Sequence, residues 1–236
     1  MPAVIPESMA ERIIAGKIRE WTEKRKNLEE QADLETIKVH PFLTIARDFG
    51  SGEEEILPKL EKTLQWKIYG RNLLDFIAQR ELLSRSFMET LDEQKQNLLD
   101  NWVNFLVRSR IILQNDYVLK ISRLMKVIVA QESAILLGRG AHLILKENEG
   151  GLRIKLTAPF DRRVQNIMKL KNISKDEAEK MVLQKDKERQ EFLQRYFNKD
   201  THNAVDFDII FNTQNVGADL IGNIAHMILD GKTSHA

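Results

Sequence analysis

Short apolar runs separated by helical stretches constrain this chain more than any other feature. They are "VHPFLTIA" (39–46), the strand at the head of "ESAILLGRGAHLIL" (132–145), "LRIKLTAP" (152–159) and "FDIIFNT" (207–213). Runs of this kind, spaced by helices, point to a parallel sheet covered on both faces. Residues 72–131 contain neither Gly nor Pro and read as a helical insertion, and residues 161–197 and 215–229 read as further helices. An amphipathic helix is predicted over 6–32, where Met9, Ile13, Ile14, Ile18 and Trp21 recur at helical spacing. Its stripe could dock a partner or a second copy. The favoured expectation is that it packs on the chain's own core.

Composition removes several classes of function. The chain has 236 residues, 42% hydrophobic and 30% charged, with 36 Lys and Arg against 35 Asp and Glu. A net charge of +1 gives no electrostatic reason to expect nucleic acid or an anionic membrane as partner. No apolar run approaches the roughly 18 residues that span a bilayer. The N-terminus carries charges inside any apolar stretch and does not read as a signal peptide. With no cysteine and five scattered histidines, thiolate chemistry is excluded and no structural metal is expected. These features fit a cytoplasmic protein.

Two glycine turns fall where strands end, at "RDFGSGEEEIL" (47–57) and "GRG" (138–140). Ligands of open parallel sheets sit beyond such ends. A glycine loop entering a helix can aim successive backbone N–H groups at phosphate. The loop matches the full phosphate-loop pattern only in part, because Glu53 stands in the place of its lysine. At an effective dielectric of about 20, a like-charge contact near 4 Å costs on the order of 4 kcal/mol. Acids in a first helical turn are otherwise ordinary stabilisers. Pro58 would remove a hydrogen bond from a helix begun at Glu53, so the spacing predicts a start near Ile56 or a kink. Ser174 with Glu177 predicts a capping box and a helix from about residue 175.

Five stretches, "LTIARDFGSGEEEI", "SAILLGRGAHLIL", "LRIKLTAPFDRRVQNIMK", "KDKERQEFLQRYF" and "FDIIFNTQNVGADLIGNIA", together resemble the cytidylate kinase-like branch of the P-loop nucleoside monophosphate kinases. They occur in the family's order over about residues 40–230. The resemblance implies an α/β, P-loop NTPase-type three-layer fold, with a parallel five-stranded sheet, a helical insertion for the nucleoside monophosphate and a helical lid. On this chain the divisions are 1–36 for the N-terminal helix and 37–236 for the kinase-like domain, with the insertion at 72–131 and the lid at 174–200. It also implies transfer of the γ-phosphoryl group of ATP, carried with Mg2+ as co-substrate, to CMP or dCMP. Partners would then be a nucleoside monophosphate and a triphosphate.

By position, the resemblance assigns Gly50, Ser51 and Gly52 to the donor phosphates, with Arg47 offered as a substitute cation. Arg139 matches the arginine that grips the acceptor phosphate. A strand-end ion pair is the other reading of that residue. Arg163, Lys185 and Asp186 fall at acceptor-side or lid positions, although for Arg163 a helix-surface ion pair is the favoured explanation. Arg189 and Arg195 would neutralise charge on the transferring group, and being six residues apart they converge only if the lid bends or unwinds. Two departures stand out: Glu53 and Glu54 replace a Gly-Arg pair, and Leu137 replaces an aspartate. They leave open a degenerate member of the family that binds a nucleotide or a protein without catalysis.

Overall fold

The side of the sheet on which each strand residue falls decides which helices cover it. In the computed structural model, which describes residues 7–27, 37–146, 148, 150–200 and 203–233, the strands are β1 (Phe42–Arg47), β2 (Lys67–Tyr69), β3 (Ala134–Leu137), β4 (Gly151–Thr157) and β5 (Ile209–Asn212). The helices are α1 (Glu7–Asn27), α2 (Glu53–Leu64), α3 (Arg71–Gln79), α4 (Glu81–Met88), α5 (Glu93–Arg108), α6 (Asp116–Gln131), α7 (Ala141–Ile144), α8 (Phe160–Lys171), α9 (Lys175–Phe197) and α10 (Ala218–Thr233). All strand pairs are parallel, in the order β2-β3-β1-β4-β5. The part of the 6–32 helix beyond Asn27 lies outside the described residues.

One face buries Leu43, Ile45, Ile135, Leu137, Ile154 and Leu156 against α2 and α10. The other places Phe42, Ala134 and Leu136 in a core shared with α1 and the helices α3 to α7. A third, small cluster joins Phe49 to α8 and α9. The result is a three-layer α/β fold with helices α3–α6 inserted between β2 and β3. The order reverses at β1, where the chain leaves first toward β3 and β2, then toward β4 and β5. That reversal opens a crevice at the carboxyl ends of β1 and β3.

Two expectations need correction. The residue patterns indicated four strands, whereas the fifth, β2, is only "KIY" at the sheet edge, too short to show a period. Helix α2 starts at Glu53, not near Ile56, and Pro58 lies inside it. Gly52 turns the chain at φ 84° into the first turn, and Pro58 sits at an exposed position of the helix. The capping box of α9 forms as the spacing predicts, with Ser174 and Glu177 satisfying each other's backbone N–H groups.

Helix α1 turns only part of its stripe inward. Ile14 and Trp21 are buried with Ala10, Ile13 and Ile18 are half-buried, and Met9 is exposed. The Trp21 ring meets Phe87 of α4 edge-on at 5.3 Å. Lys17 is also buried and pairs with Glu132, which accepts the Tyr69 hydroxyl at 2.6 Å. Burial alone would lower the Lys17 pKa, but the hydrogen bonds from its ammonium to Glu132 and Glu20 raise it instead. The helix is therefore anchored by an apolar contact to α4 and by an ion pair to Glu132 at the end of α6, which in turn bonds Tyr69 of β2. Trp21→Ala should cost about 3–5 kcal/mol, the usual range for a buried aromatic cut to alanine. Urea unfolding of the full chain measures it, and an unchanged midpoint would mean that α1 is not part of the core.

Candidate functional site

A cleft of about 760 Å³ opens at the crevice, lined by the β1 end, the first turn of α2, helix α3, Tyr117 of α6, the β3–α7 turn, His142 of α7, β4, the inner side of α9 and Phe207 before β5. Seven cationic side chains line it, namely Arg47, Arg71, Arg139, Lys155, Lys185, Arg189 and Arg195, against the carboxylates of Glu53, Asp75, Glu188 and Glu191. The excess of cations suits an anionic ligand.

The three glutamates after the glycine turn go different ways. Glu55 is exposed, Glu54 is half-buried, and Glu53 is only 2% exposed. Glu53 points into the cleft, forms an ion pair with the Arg47 guanidinium, and lies 4.0 Å from that of Arg189. Arg189 also donates to the Arg47 carbonyl at 2.9 Å and sits over the Phe49 ring. Burial and then the neighbouring Arg47 charge push its pKa down to about 10, against the pull of Glu53. One carboxylate thus stands where the phosphate-loop lysine would be, and two arginines neutralise it.

The glycine turn itself is lashed from outside. Three successive carbonyls, those of Phe49, Gly50 and Ser51, accept from Arg163 at 3.2 Å, Asn166 at 2.8 Å and Thr213 at 2.7 Å. Asp186 accepts the Phe49 N–H at 2.9 Å and pairs with Arg163. The negative ends of these peptides are therefore already satisfied by protein donors. Gly50 has φ 81°, and a Cβ there would stand 2.7 Å from the Arg163 carbonyl oxygen. Ser51 is fully buried, and its hydroxyl has no hydrogen-bond partner among the described residues.

The residues singled out in the sequence separate into two groups. Arg47, Arg139, Lys185, Arg189 and Arg195 meet in the cleft. Gly50, Ser51 and Gly52 are not among its lining residues, and neither are Arg163 and Asp186, which brace the loop from behind. Lys185 is paired with Glu188 at 2.7 Å. Helix α9 runs uninterrupted to Phe197, and Arg189 and Arg195 both line the cleft.

The "GRG" turn holds three consecutive residues in the left-handed region, with φ of 79°, 52° and 71°. The flanking glycines are sterically required. A Cβ on Gly138 would lie 2.7 Å from an Arg47 nitrogen, and one on Gly140 would lie 2.3 Å from the Phe197 ring. Asp75 from α3 receives the fork of Arg139, with Nε at 2.8 Å. Burial raises the pKa of Tyr117, which donates to Asp75 at 2.5 Å.

Sequence reasoning missed Asp75 and Tyr117, which sit in unremarkable helical stretches, and also Lys155. For Lys155 a signal existed. Arg153, Lys155 and Thr157 alternate along β4 with Leu152, Ile154 and Leu156, so this central strand has one polar face. Lys155 is 5% exposed, 3.3 Å from Asp48, whose other oxygen accepts from Thr157 at 2.6 Å.

A parallel sheet in this order, a glycine turn after its central strand, a helical insertion and an arginine-bearing helix over the cleft define a kinase-like P-loop fold. The chain belongs to the cytidylate kinase-like family, whose sequence pattern matches residues 42–215. No curated protein matches the chain. Among solved structures, an uncharacterized protein from Eubacterium ventriosum ATCC 27560 is similar over 81% of this chain and 99% of its own, at 21% identity and a TM-score of 0.62. Shikimate kinase from Bacteroides thetaiotaomicron overlaps at 13% identity over 80% of this chain and 98% of its own, with a TM-score of 0.42. Deoxyadenosine kinase from M. mycoides, with dCMP and dCDP bound, overlaps at 12% identity over 80% of this chain and 99% of its own, with a TM-score of 0.37. Overlaps as slight as the last two bear on neither substrate nor mechanism.

His142 of α7, stacked on Phe207 at 4.7 Å, supplies a pH test of this region. Burial pushes its pKa down to about 4 from 6.5. The unfolded chain then binds the extra proton between those values, so stability from the neutral ring is complete above about pH 6.5 and lost as pH falls toward about 4. Melting curves of wild type and His142→Phe should diverge in that window and run parallel above it.

Proposed function

We propose that this chain is a nucleoside monophosphate kinase of the cytidylate type, moving the γ-phosphoryl group of ATP–Mg2+ to CMP or dCMP. The supporting observation is that Arg47, Arg139, Arg189 and Arg195, from β1, the β3–α7 turn and α9, converge on one cleft. In this reading residues 37–236 are the catalytic domain, with 72–131 as the acceptor lobe and 174–200 as the lid. Arg139 takes the acceptor phosphate, with Lys185 beside it. Arg163 and Asp186, assigned to the acceptor side by the resemblance, do not reach the cleft and instead hold the glycine turn from behind. The acceptor phosphate oxygen is ionised at neutral pH and attacks the γ-phosphorus directly; the bond to the β-phosphate oxygen breaks, and Arg189 with Arg195 offsets the spread charge. The glycine turn Gly50–Ser51–Gly52 receives the donor phosphates. No group of three or more His, Asp or Glu side chains poised to hold a metal occurs among the described residues, so Mg2+ would enter bound to the nucleotide. No described helix is long and apolar enough to cross a membrane, and an ATP-dependent reaction suits the cytoplasm.

Glu53 favours a second reading. Its carboxylate already fills the place between Arg47 and Arg189, so a chain that keeps an acceptor-like nucleotide site but no longer uses a triphosphate is the rival.

A coupled assay across nucleoside monophosphates and several triphosphate donors decides between them. Turnover with CMP or dCMP carries the first reading, and no turnover with any pair ends it. Stabilisation by CMP but not by ATP–Mg2+ in a thermal melt supports the second. If the kinase reading holds, Glu53→Gln should tighten triphosphate binding at least about tenfold, or roughly 1.4 kcal/mol, because it removes a charge that repels the donor. Titration calorimetry reads that change.

A further inference from the structure

We propose that Asp75 is the positioning residue for Arg139: it holds one edge of the guanidinium and leaves only the other edge to meet the acceptor phosphate. The inference rests on the acceptor role given to Arg139 above.

Both oxygens of Asp75 are engaged. Oδ1 accepts Arg139 Nε at 2.8 Å and the Tyr117 hydroxyl at 2.5 Å, while Oδ2 accepts Arg139 Nη2 and lies 3.7 Å from Arg71 Nε. A carboxylate committed to three donors has little capacity left to act as a base or to accept from a ligand. Its chemistry is that of a holder. Two aromatic rings also lie against Arg139. The Phe192 centroid lies 4.7 Å from its central carbon and that of Tyr117 lies 5.7 Å away. Two elements of the insertion and one of the lid therefore grip the same guanidinium.

The backbone gives the second observation. Arg139 has φ 52°, a left-handed conformation that an ordinary side chain adopts only when its surroundings over-determine it. The fork to Asp75 and the two rings are those surroundings. The Nε–Nη2 edge faces Asp75, so the Nη1–Nη2 edge remains for an anion in the cleft that Arg139 lines. An arginine fixed in this way needs no further ordering when the ligand arrives, which is the origin of its advantage over a free one.

Two outcomes of removing the charge differ in sign. If Asp75 only opposes the incoming phosphate, Asp75→Asn tightens binding. If it positions Arg139, Asp75→Asn loosens binding although a repulsive charge has gone. The test uses the full chain and two readouts. In the unliganded protein, nitrogen-15 spectra of arginine Nε–H groups, with the Arg139 signal assigned by its loss in Arg139→Lys, should show a protected resonance. Its hydrogen exchange should speed up at least tenfold in Asp75→Asn. In Tyr117→Phe, which removes one donor and leaves the fork, the acceleration should be smaller. CMP titrated into the same samples should bind about tenfold more weakly to Asp75→Asn, with ATP–Mg2+ affinity unchanged and partial recovery in Asp75→Glu.

Unchanged exchange in Asp75→Asn, or tighter CMP binding, overturns the proposal. If wild type binds no CMP, the acceptor role of Arg139 fails, while the exchange measurement still decides whether Asp75 holds it. Should Asp75→Asn not fold, the Tyr117→Phe exchange rate decides alone: acceleration supports the hold and an unchanged rate overturns it.

Discussion

The cleft end of this molecule is organised by a charge that has to be neutralised. Glu53 is buried at the first turn of α2, and an uncompensated carboxylate there would cost several kcal/mol. Arg47 at the end of β1 and Arg189 in the middle of α9 supply the compensation. One side chain thereby ties the central strand, the helix after the glycine turn and the helix over the cleft. The arrangement has the form of an anion site whose anion is covalently part of the chain. A ligand phosphate entering between these arginines competes with Glu53 for cations that are already in place.

The turn on the neighbouring strand repeats the principle. Arg139 faces the cleft, and Asp75 neutralises it from the inserted helices. In both places an arginine at a strand end is held by a carboxylate from a following or inserted helix, and in both places glycines allow the approach. Gly138 leaves room for Arg47, so the two turns are in contact through that guanidinium. The cleft is thus a set of partly satisfied ion pairs with a cationic excess, and a dianionic phosphate complements such a set better than a neutral ligand does.

The layers of the fold were legible because burial on both sides leaves a direct imprint on sequence. "FLTIA" and "AILL" read as strands because both of their faces are apolar, and Ser174 with Glu177 announced α9 through purely local hydrogen bonds. The edge strand β2 left no such imprint in three residues. The late start expected for α2 came from weighing Pro58 alone, when Gly52 and the exposed position of the proline outweigh it. Among site residues, Arg139 and Arg189 were visible because they sit in ordered motifs. Asp75 and Tyr117 were not, since nothing in "RNLLDFIAQ" or "DYVLKIS" distinguishes a cleft carboxylate or phenol from one facing water.

By itself, then, the order of strands, turns and helices determined a parallel α/β architecture with glycine turns at the crevice, because local periodicity and capping are encoded within a few neighbouring residues. Which acid meets which base was decided only in three dimensions. "EEE" reads as three equal charges, yet one becomes an internal counterion, one is half-buried and one faces solvent, because a helical turn rotates successive side chains by about 100°. Arg163 and Arg189 look alike on their helices, but packing sends the first behind the loop and the second into the cleft. Ion pairing between residues more than a hundred positions apart, such as Arg189 with Glu53, depends on how the layers stack, and no local pattern carries that information.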